Sequence, residues 1–298
     1  MSKLWIFGDS YAELPHETYK EHPGYMPPYQ HQLAEMLDVD ELEVWGSPGV
    51  AASWIYLQFK EQFPKMTKDD YILVIWTSRH RKWFFRDLPE HSNIYLRDLD
   101  KIMHKDEADA VKNYLAYLKN DEADMLEMNA FASATAYAAA SLATPYIGVS
   151  GFNEDAQLMF NPYCEVKGSL GNVCFREFGS NNANDLWERC MKVGGYVDRR
   201  LNHMSWPSHD IFAKKLYNSF ATREVLDLDE GFPVNFWKNE TQYKEYNADT
   251  VHLWDVRYDN KGNRLQLAGN NHHPGLNKRN RKFMMSDLRM LPKSGLHR

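Results

Sequence analysis

A serine hydroxyl attacks a carbonyl efficiently only when a neighbouring base removes its proton, and two segments of this sequence offer those partners. Ser10 closes the tripeptide Gly8-Asp9-Ser10, directly after the apolar run Leu4-Trp5-Ile6-Phe7. A buried strand ending there puts Ser10 at the carboxyl edge of a sheet, where open α/β folds bind ligands. The plainer reading is a strand-end turn capped by Asp9 or Ser10. His203 stands just before Met204-Ser205-Trp206-Pro207. Ser205 suits a helix N-cap and Pro207 its first turn, while Ile211, Phe212 and Leu216 supply an apolar face. His203 is therefore expected on a loop leading into a helix, where an imidazole can be aimed at a nucleophile or simply face solvent.

Other predicted strand ends carry small or hydroxyl-bearing residues, Gly46-Ser47-Pro48-Gly49 and Thr77-Ser78-Arg79. The common phosphate cradles, the G-x-S-x-G elbow and the H-E-x-x-H helix are absent from the sequence. Arg79-His80-Arg81 is a basic cluster suited to an anionic substrate or to an exposed face. Gly269-Asn270-Asn271-His272-His273-Pro274 offers a rival base in His273. Its adjacent histidines lack a cysteine or acidic partner at ligand spacing, so no metal is expected. No feature demands a cofactor.

These residues need a scaffold. The chain has 298 residues, 43% hydrophobic and 26% charged, which excludes a disordered or collagen-like chain. Short apolar runs alternate with helical stretches, predicting an α/β sheet with helices on both faces. Strands are expected over 4–7, 42–45, 71–76 and 145–149, and helices over 30–37, 51–63, 106–118, 121–143, 184–193 and 206–220. The alanine-rich helix 121–143 should pack closely under the sheet, whereas 151–182 shows no period and reads as a long loop. The expected division is an α/β domain over 1–220 and a C-terminal extension over 221–298. That extension should hold a hairpin turning at Asp259-Asn260-Lys261-Gly262 and a basic terminal helix.

The net charge of −6 argues against a nucleic-acid partner. In the basic terminal segment Lys278, Arg279, Arg281 and Lys282 interleave with Phe283, Met284, Leu288 and Leu291, a pattern that suits packing on its own core. Cys164, Cys174 and Cys190 lack metal-ligand spacing, which favours reduced thiols and cytoplasmic synthesis, with a Cys164–Cys174 bridge as the alternative. The most apolar window, 130–149, is rich in Ala, Ser and Thr and contains Pro145. It falls short of the roughly 20 apolar residues of a membrane span. Four apolar residues near the N-terminus are too few for a signal-peptide core of about 7–15. Nothing in the sequence sets an oligomeric state.

Taken together, the serine and histidine segments resemble the SGNH, or GDSL, hydrolase family. The first family block matches Gly8-Asp9-Ser10, the second-block glycine matches Gly49, and the last block matches His203, Met204, Ser205, His209 and Ala213. The resemblance spans about residues 3–220. It implies a flavodoxin-like three-layer α/β/α sandwich with a parallel sheet. It also implies hydrolysis of a small-molecule, lipid or carbohydrate ester, with Ser10 as nucleophile and His203 as base. The backbone N–H groups of Ser10 and Gly49 would meet the oxyanion. Two positions depart from the family pattern: Ser78 stands where its third-block Asn falls, and Arg200 stands three residues before the histidine, where it has Asp. Ser78 then becomes the third oxyanion donor, and Asp198 the nearest acid that can orient His203. Asp9, Thr77 and Arg79 are further candidates for substrate contact. His273, with Asn270 at the place of the Asp, is the alternative base. The alternative function is an SGNH-fold binding or structural module with weak or no catalysis.

Overall fold

The computed structural model describes residues 2–14, 27–83, 105–152, 160–177, 179 and 204–234. The chain divides into two compact units, Met1–Asp255 and Val256–Arg298, and all described residues belong to the first. The expected helix over 184–193, the hairpin and the basic terminal helix lie outside the described residues.

Four strands, β1 (Lys3–Gly8), β2 (Glu41–Gly46), β3 (Tyr71–Trp76) and β4 (Tyr146–Ser150), form a parallel sheet in the order β2-β1-β3-β4. The main helices are α1 (Tyr29–Met36), α2 (Ala52–Gln62), α3 (Lys105–Asn113), α4 (Asp121–Ser141), α5 (Leu170–Glu177) and α6 (Trp206–Thr222). Central parallel strands bury both faces, and successive side chains alternate between them. Leu4, Ile6, Leu73, Ile75, Ile147 and Val149 therefore point to one face, where they meet Leu33 of α1 and Phe212 and Leu216 of α6. Trp5, Phe7, Ile72, Val74, Trp76 and Tyr146 point to the other, against α2 and α4. Each such aliphatic or Phe side chain, once fully buried, contributes about 1.5–3 kcal/mol. The result is a flavodoxin-like α/β/α sandwich.

Helix α4 shows how local signals and packing agree. The Asn120 side chain accepts the N–H groups of Glu122 (2.9 Å) and Ala123 (3.2 Å), and Asp121, Glu122 and Asp124 place negative charge on the first turn. Ala132, Ala136 and Ala139 are buried, so the helix approaches the sheet through small side chains. No helix among the described residues is long and apolar enough to cross a membrane.

Two expectations need correction. The segment read as a helix over 106–118 leaves α geometry after Asn113 and closes with a π turn over Tyr114–Leu118, where Lys119 N–H donates to Tyr114 O at 2.9 Å. Tyr117 and Leu118 are exposed, so no core contact holds them in α register. The segment read as a long loop contains a two-residue strand β5 (Val166–Lys167) and the helix α5. Strand β5 pairs in parallel with β6 (Leu226–Asp227), and elements so short leave no period in the sequence. The core beneath α6 continues through Leu226, Leu228 and Phe232.

Candidate active site

The parallel register aligns Gly8 with Gly46 and with Ile75, and Trp76 with Ser150, so the segments that follow these strands emerge at one edge. The chain runs from β1 to β2 on one side and then crosses to β3 on the other. The gap between β1 and β3 is thus the topological switch point, where open α/β sheets form a ligand crevice. Ser10 follows one of these strands and Thr77-Ser78 the other.

Ser10 sits in a tight turn. Ala12 N–H donates to Asp9 O (3.0 Å), and Tyr11 N–H donates to Asp9 Oδ1 (3.1 Å). The turn lies directly on the strand ends. A Cβ at Gly8 would stand 2.7 Å from Ile75 O, and one at Gly46 would stand 2.7 Å from the backbone of Ala12 and Glu13. Only glycine permits that approach. Ser10 is 9% exposed, and its hydroxyl makes no hydrogen bond among the described residues. Gly49, the other expected backbone donor, adopts φ +74° after β2.

Asp9 is fully buried, and Arg81 satisfies it. Arg81 Nη1 donates to Asp9 Oδ2 (2.8 Å) and to Thr77 Oγ1 (2.6 Å), tying the end of β1 to the end of β3. The Phe152 ring lies 5.0 Å from Arg81 Cζ and meets Tyr11 edge-on, at 6.3 Å between centroids. Thr77 is itself fully buried, and Ser78 Oγ accepts the His80 N–H at 3.3 Å. The structure therefore gathers Ser10, Asp9, Thr77 and Ser78 at one edge and adds Arg81, which the sequence presents only as one member of a basic run. His203, Asp198 and His273 lie outside the described residues, as does Cys190.

The helix that follows the histidine segment is anchored by a residue the sequence did not single out. Glu177, at the end of α5, is fully buried and accepts Ser205 N–H (3.0 Å), Ser205 Oγ–H (2.5 Å) and Ser208 Oγ–H. Ser205 holds the N-cap position of α6 as expected, but its side chain bonds Glu177 rather than the helix amides. A carboxylate at a helix N-terminus suits the helix dipole. No local pattern marks Glu177, because its partners are 28 and 31 residues away.

A second chain of contacts links α6 to the Ser10 turn. The His209 ring stacks on Tyr29 at 5.6 Å, and its Nδ1 accepts the Tyr29 N–H at 3.4 Å. Burial lowers the His209 pKa to about 4, so the ring is neutral at neutral pH. Tyr29 OH in turn donates to Tyr11 O (3.0 Å). Burial holds both tyrosine hydroxyls well above their ordinary pKa. Cys164 and Cys174 are unbridged. Burial raises the Cys164 thiol to about 11 and pushes Cys174 well up, so neither supplies a thiolate nucleophile.

One group among the described residues has the donor set of a metal site. His80, Asp121 and Asp124 bring one ligand atom each within 4.8 Å of one another. Cations already serve its acids: Lys82 Nζ stands 2.9 Å from Asp124 Oδ1 and Lys119 Nζ 3.2 Å from Asp121 Oδ1. The cluster is accordingly an ion-pair network at the start of α4.

No protein-family model matches this chain, and no curated protein sequence matches it. Among solved structures, one similar chain is a member of the lipolytic protein G-D-S-L family from Veillonella parvula DSM 2008. It shares 9% identity with a TM-score of 0.26, over 98% of this chain and 100% of that chain. So distant a likeness decides nothing about chemistry, which rests on the residues at the sheet edge.

Proposed function

We propose that this protein is a serine ester hydrolase acting on a small-molecule or carbohydrate ester. The observation that carries the reading is Ser10 itself. It lies in a rigid turn at the switch point of a parallel sheet, with its hydroxyl uncommitted among the described residues. In the proposed mechanism Ser10 Oγ attacks the ester carbonyl while His203 takes its proton. The C–O bond of the tetrahedral intermediate then breaks, and the departing alkoxide receives that proton from His203. Water, deprotonated by the same imidazole, hydrolyses the acyl-Ser10 ester and restores the hydroxyl. Asp198 orients His203 and stabilises its charged form. The N–H groups of Ser10 and Gly49, with the Ser78 hydroxyl, bind the oxyanion. Each good donor there is worth about 2.7–4 kcal/mol of barrier, so a hydroxyl at 78 in place of an amide implies a slow enzyme.

The test is hydrolysis of short-chain 4-nitrophenyl esters together with labelling by a serine-directed phosphonate. Ser10→Ala should abolish both, and His203→Ala should lower the rate by about 10³-fold or more. Loss in His273→Ala but not in His203→Ala would move the base to the C-terminal segment. A wild-type protein inert to every ester and to the phosphonate would assign the fold to a binding module instead.

A further inference from the structure

Arg81 is held almost out of solvent, its side chain 10% exposed, yet its hydrogen bonding is lopsided. A guanidinium carries five N–H donors. Both bonds it makes, to Asp9 Oδ2 and Thr77 Oγ1, leave from Nη1. The three N–H groups on Nε and Nη2 make no hydrogen bond among the described residues. Those two nitrogens form the edge whose parallel N–H bonds match the two oxygens of a carboxylate. The group cannot swing away to satisfy them elsewhere, because Asp9 and Thr77 pin Nη1 and Phe152 covers its face at 5.0 Å. Neither Nε nor Nη2 is sealed from solvent, so this edge is open to a ligand whose acceptors replace water there.

Position gives this edge its meaning. Asp9, the partner of Arg81, is the chain neighbour of Ser10, so the guanidinium stands at the crevice where an ester would react. Electrostatics sets the kind of anion. The Asp9 charge already balances that of Arg81, so recognition here depends on two directed N–H bonds more than on excess positive charge. A single planar carboxylate fits that description better than a polyanion. Of the neighbouring cations, Lys82 is committed to Asp124 and Glu127 on α4.

We infer that Arg81 forms a carboxylate-recognition subsite beside Ser10, and that the preferred substrate is an ester bearing a free carboxylate a few bonds from the scissile carbonyl. The inference rests on the hydrolase reading for its substrate but not for its binding site. It is tested with two esters of similar length, the mono-4-nitrophenyl ester of glutaric acid, which is anionic, and 4-nitrophenyl pentanoate, which is neutral. The readout is the ratio of their kcat/KM values. Wild type should favour the anionic ester by about tenfold to a hundredfold, a range expected where a polar site reads a polar group. The double variant Asp9→Asn with Arg81→Met removes both members of the buried pair, so no charge is stranded, and should bring the ratio close to one. Arg81→Lys keeps the charge without the fork and should retain only part of the preference. A wild type that prefers the neutral ester, or a double variant that keeps the anionic preference, overturns the subsite and leaves the hydrolase reading intact. If wild type hydrolyses neither ester, the hydrolase reading fails, and calorimetric titration with glutarate decides the subsite. Binding lost in the folded double variant supports it, and no binding to wild type overturns it.

Discussion

Arg81 and Lys82 are consecutive cations that leave the end of β3 in opposite directions. Arg81 turns toward β1 and closes on Asp9, with side-chain exposures of 10% and 0%. Lys82, 16% exposed, reaches α4 and meets Asp124, a carboxylate only 3% exposed, at 2.9 Å, together with Glu127, which is 43% exposed. The first contact is a closed pair in which each charge depends on the other. The second is a branched network in which one ammonium serves a buried and an exposed carboxylate, and the buried one also has the first turn of α4 and His80 beside it. Charge–charge distance is nearly the same in both. What separates them is whether a helix dipole and further charged groups can take over when one partner leaves, and the consequences should differ in free energy.

Breaking the closed pair should have the largest effect. Asp9→Asn or Arg81→Met alone strands a buried charge, which costs about 3–5 kcal/mol. The double variant should regain most of that loss, because a pair replaced by neutral groups leaves nothing uncompensated. Urea unfolding of the four proteins in the cycle measures it, and additive single losses would show that Asp9 and Arg81 do not depend on each other.

His209 sharpens the comparison, being a titratable ring that stacks on Tyr29 and accepts its N–H. Its folded pKa of about 4 lies below the unfolded value of 6.5. As pH falls below 6.5 the unfolded chain takes up a proton that the folded ring refuses. Stability is therefore full above pH 6.5 and declines as pH falls toward 4. The ceiling on that decline is about 3 kcal/mol, reduced in practice by the partly exposed edge of the ring. His209→Phe keeps an aromatic ring against Tyr29 and removes the proton. Unfolding free energies between about pH 7 and pH 4 should then depend less steeply on pH than in wild type.

Glu177 tests what hydrogen-bond donors contribute to holding a buried carboxylate. Its described partners are the N–H of Ser205 and two serine hydroxyls. Glu177→Ala leaves those donors without an acceptor and should cost about 2–3 kcal/mol, whereas Glu177→Gln keeps one acceptor and should cost about half as much. Denaturant melts of both variants check this. Equal losses would mean that charge, not acceptor count, holds the start of α6.

The same contrast explains what could be read from the sequence. Strands β1 and β3 were legible because burial on both faces writes a continuous apolar run, Leu4-Trp5-Ile6-Phe7 and Tyr71 to Trp76. Helix α6 announced its start through Ser205 and Pro207. Ser10 and Thr77-Ser78 could be placed at strand ends because a strand end is a local event. The contacts that organise them are not local. Asp9 and Arg81 are 72 residues apart and Glu177 meets Ser205 across 28, and neither pair leaves a periodic trace. Arg81 looked like one basic residue among three, and what distinguishes it, a buried guanidinium with one nitrogen spent, exists only after β1 and β3 are paired. Strands β5 and β6, two residues each, were too short to register.

The smallest effect should come from breaking the branched network. Lys82→Met keeps most of the aliphatic stem and removes the ammonium from Asp124 and Glu127. Asp124 then still sits in the first turn of α4, where the helix dipole favours a carboxylate, and Glu127 turns to solvent. The expected loss is about 1–2 kcal/mol, and the part supplied by the exposed Glu127 arm shrinks at about 1 M salt. The loss in Asp9→Asn should persist at the same salt concentration, because Asp9 has no exposed surface and Arg81 has no exposed carboxylate partner among the described residues. Parallel salt series on the two variants therefore separate closed from branched pairing directly. A Lys82→Met loss that matched Asp9→Asn in size and ignored salt would mean that α4 and the sheet edge bury their charges alike.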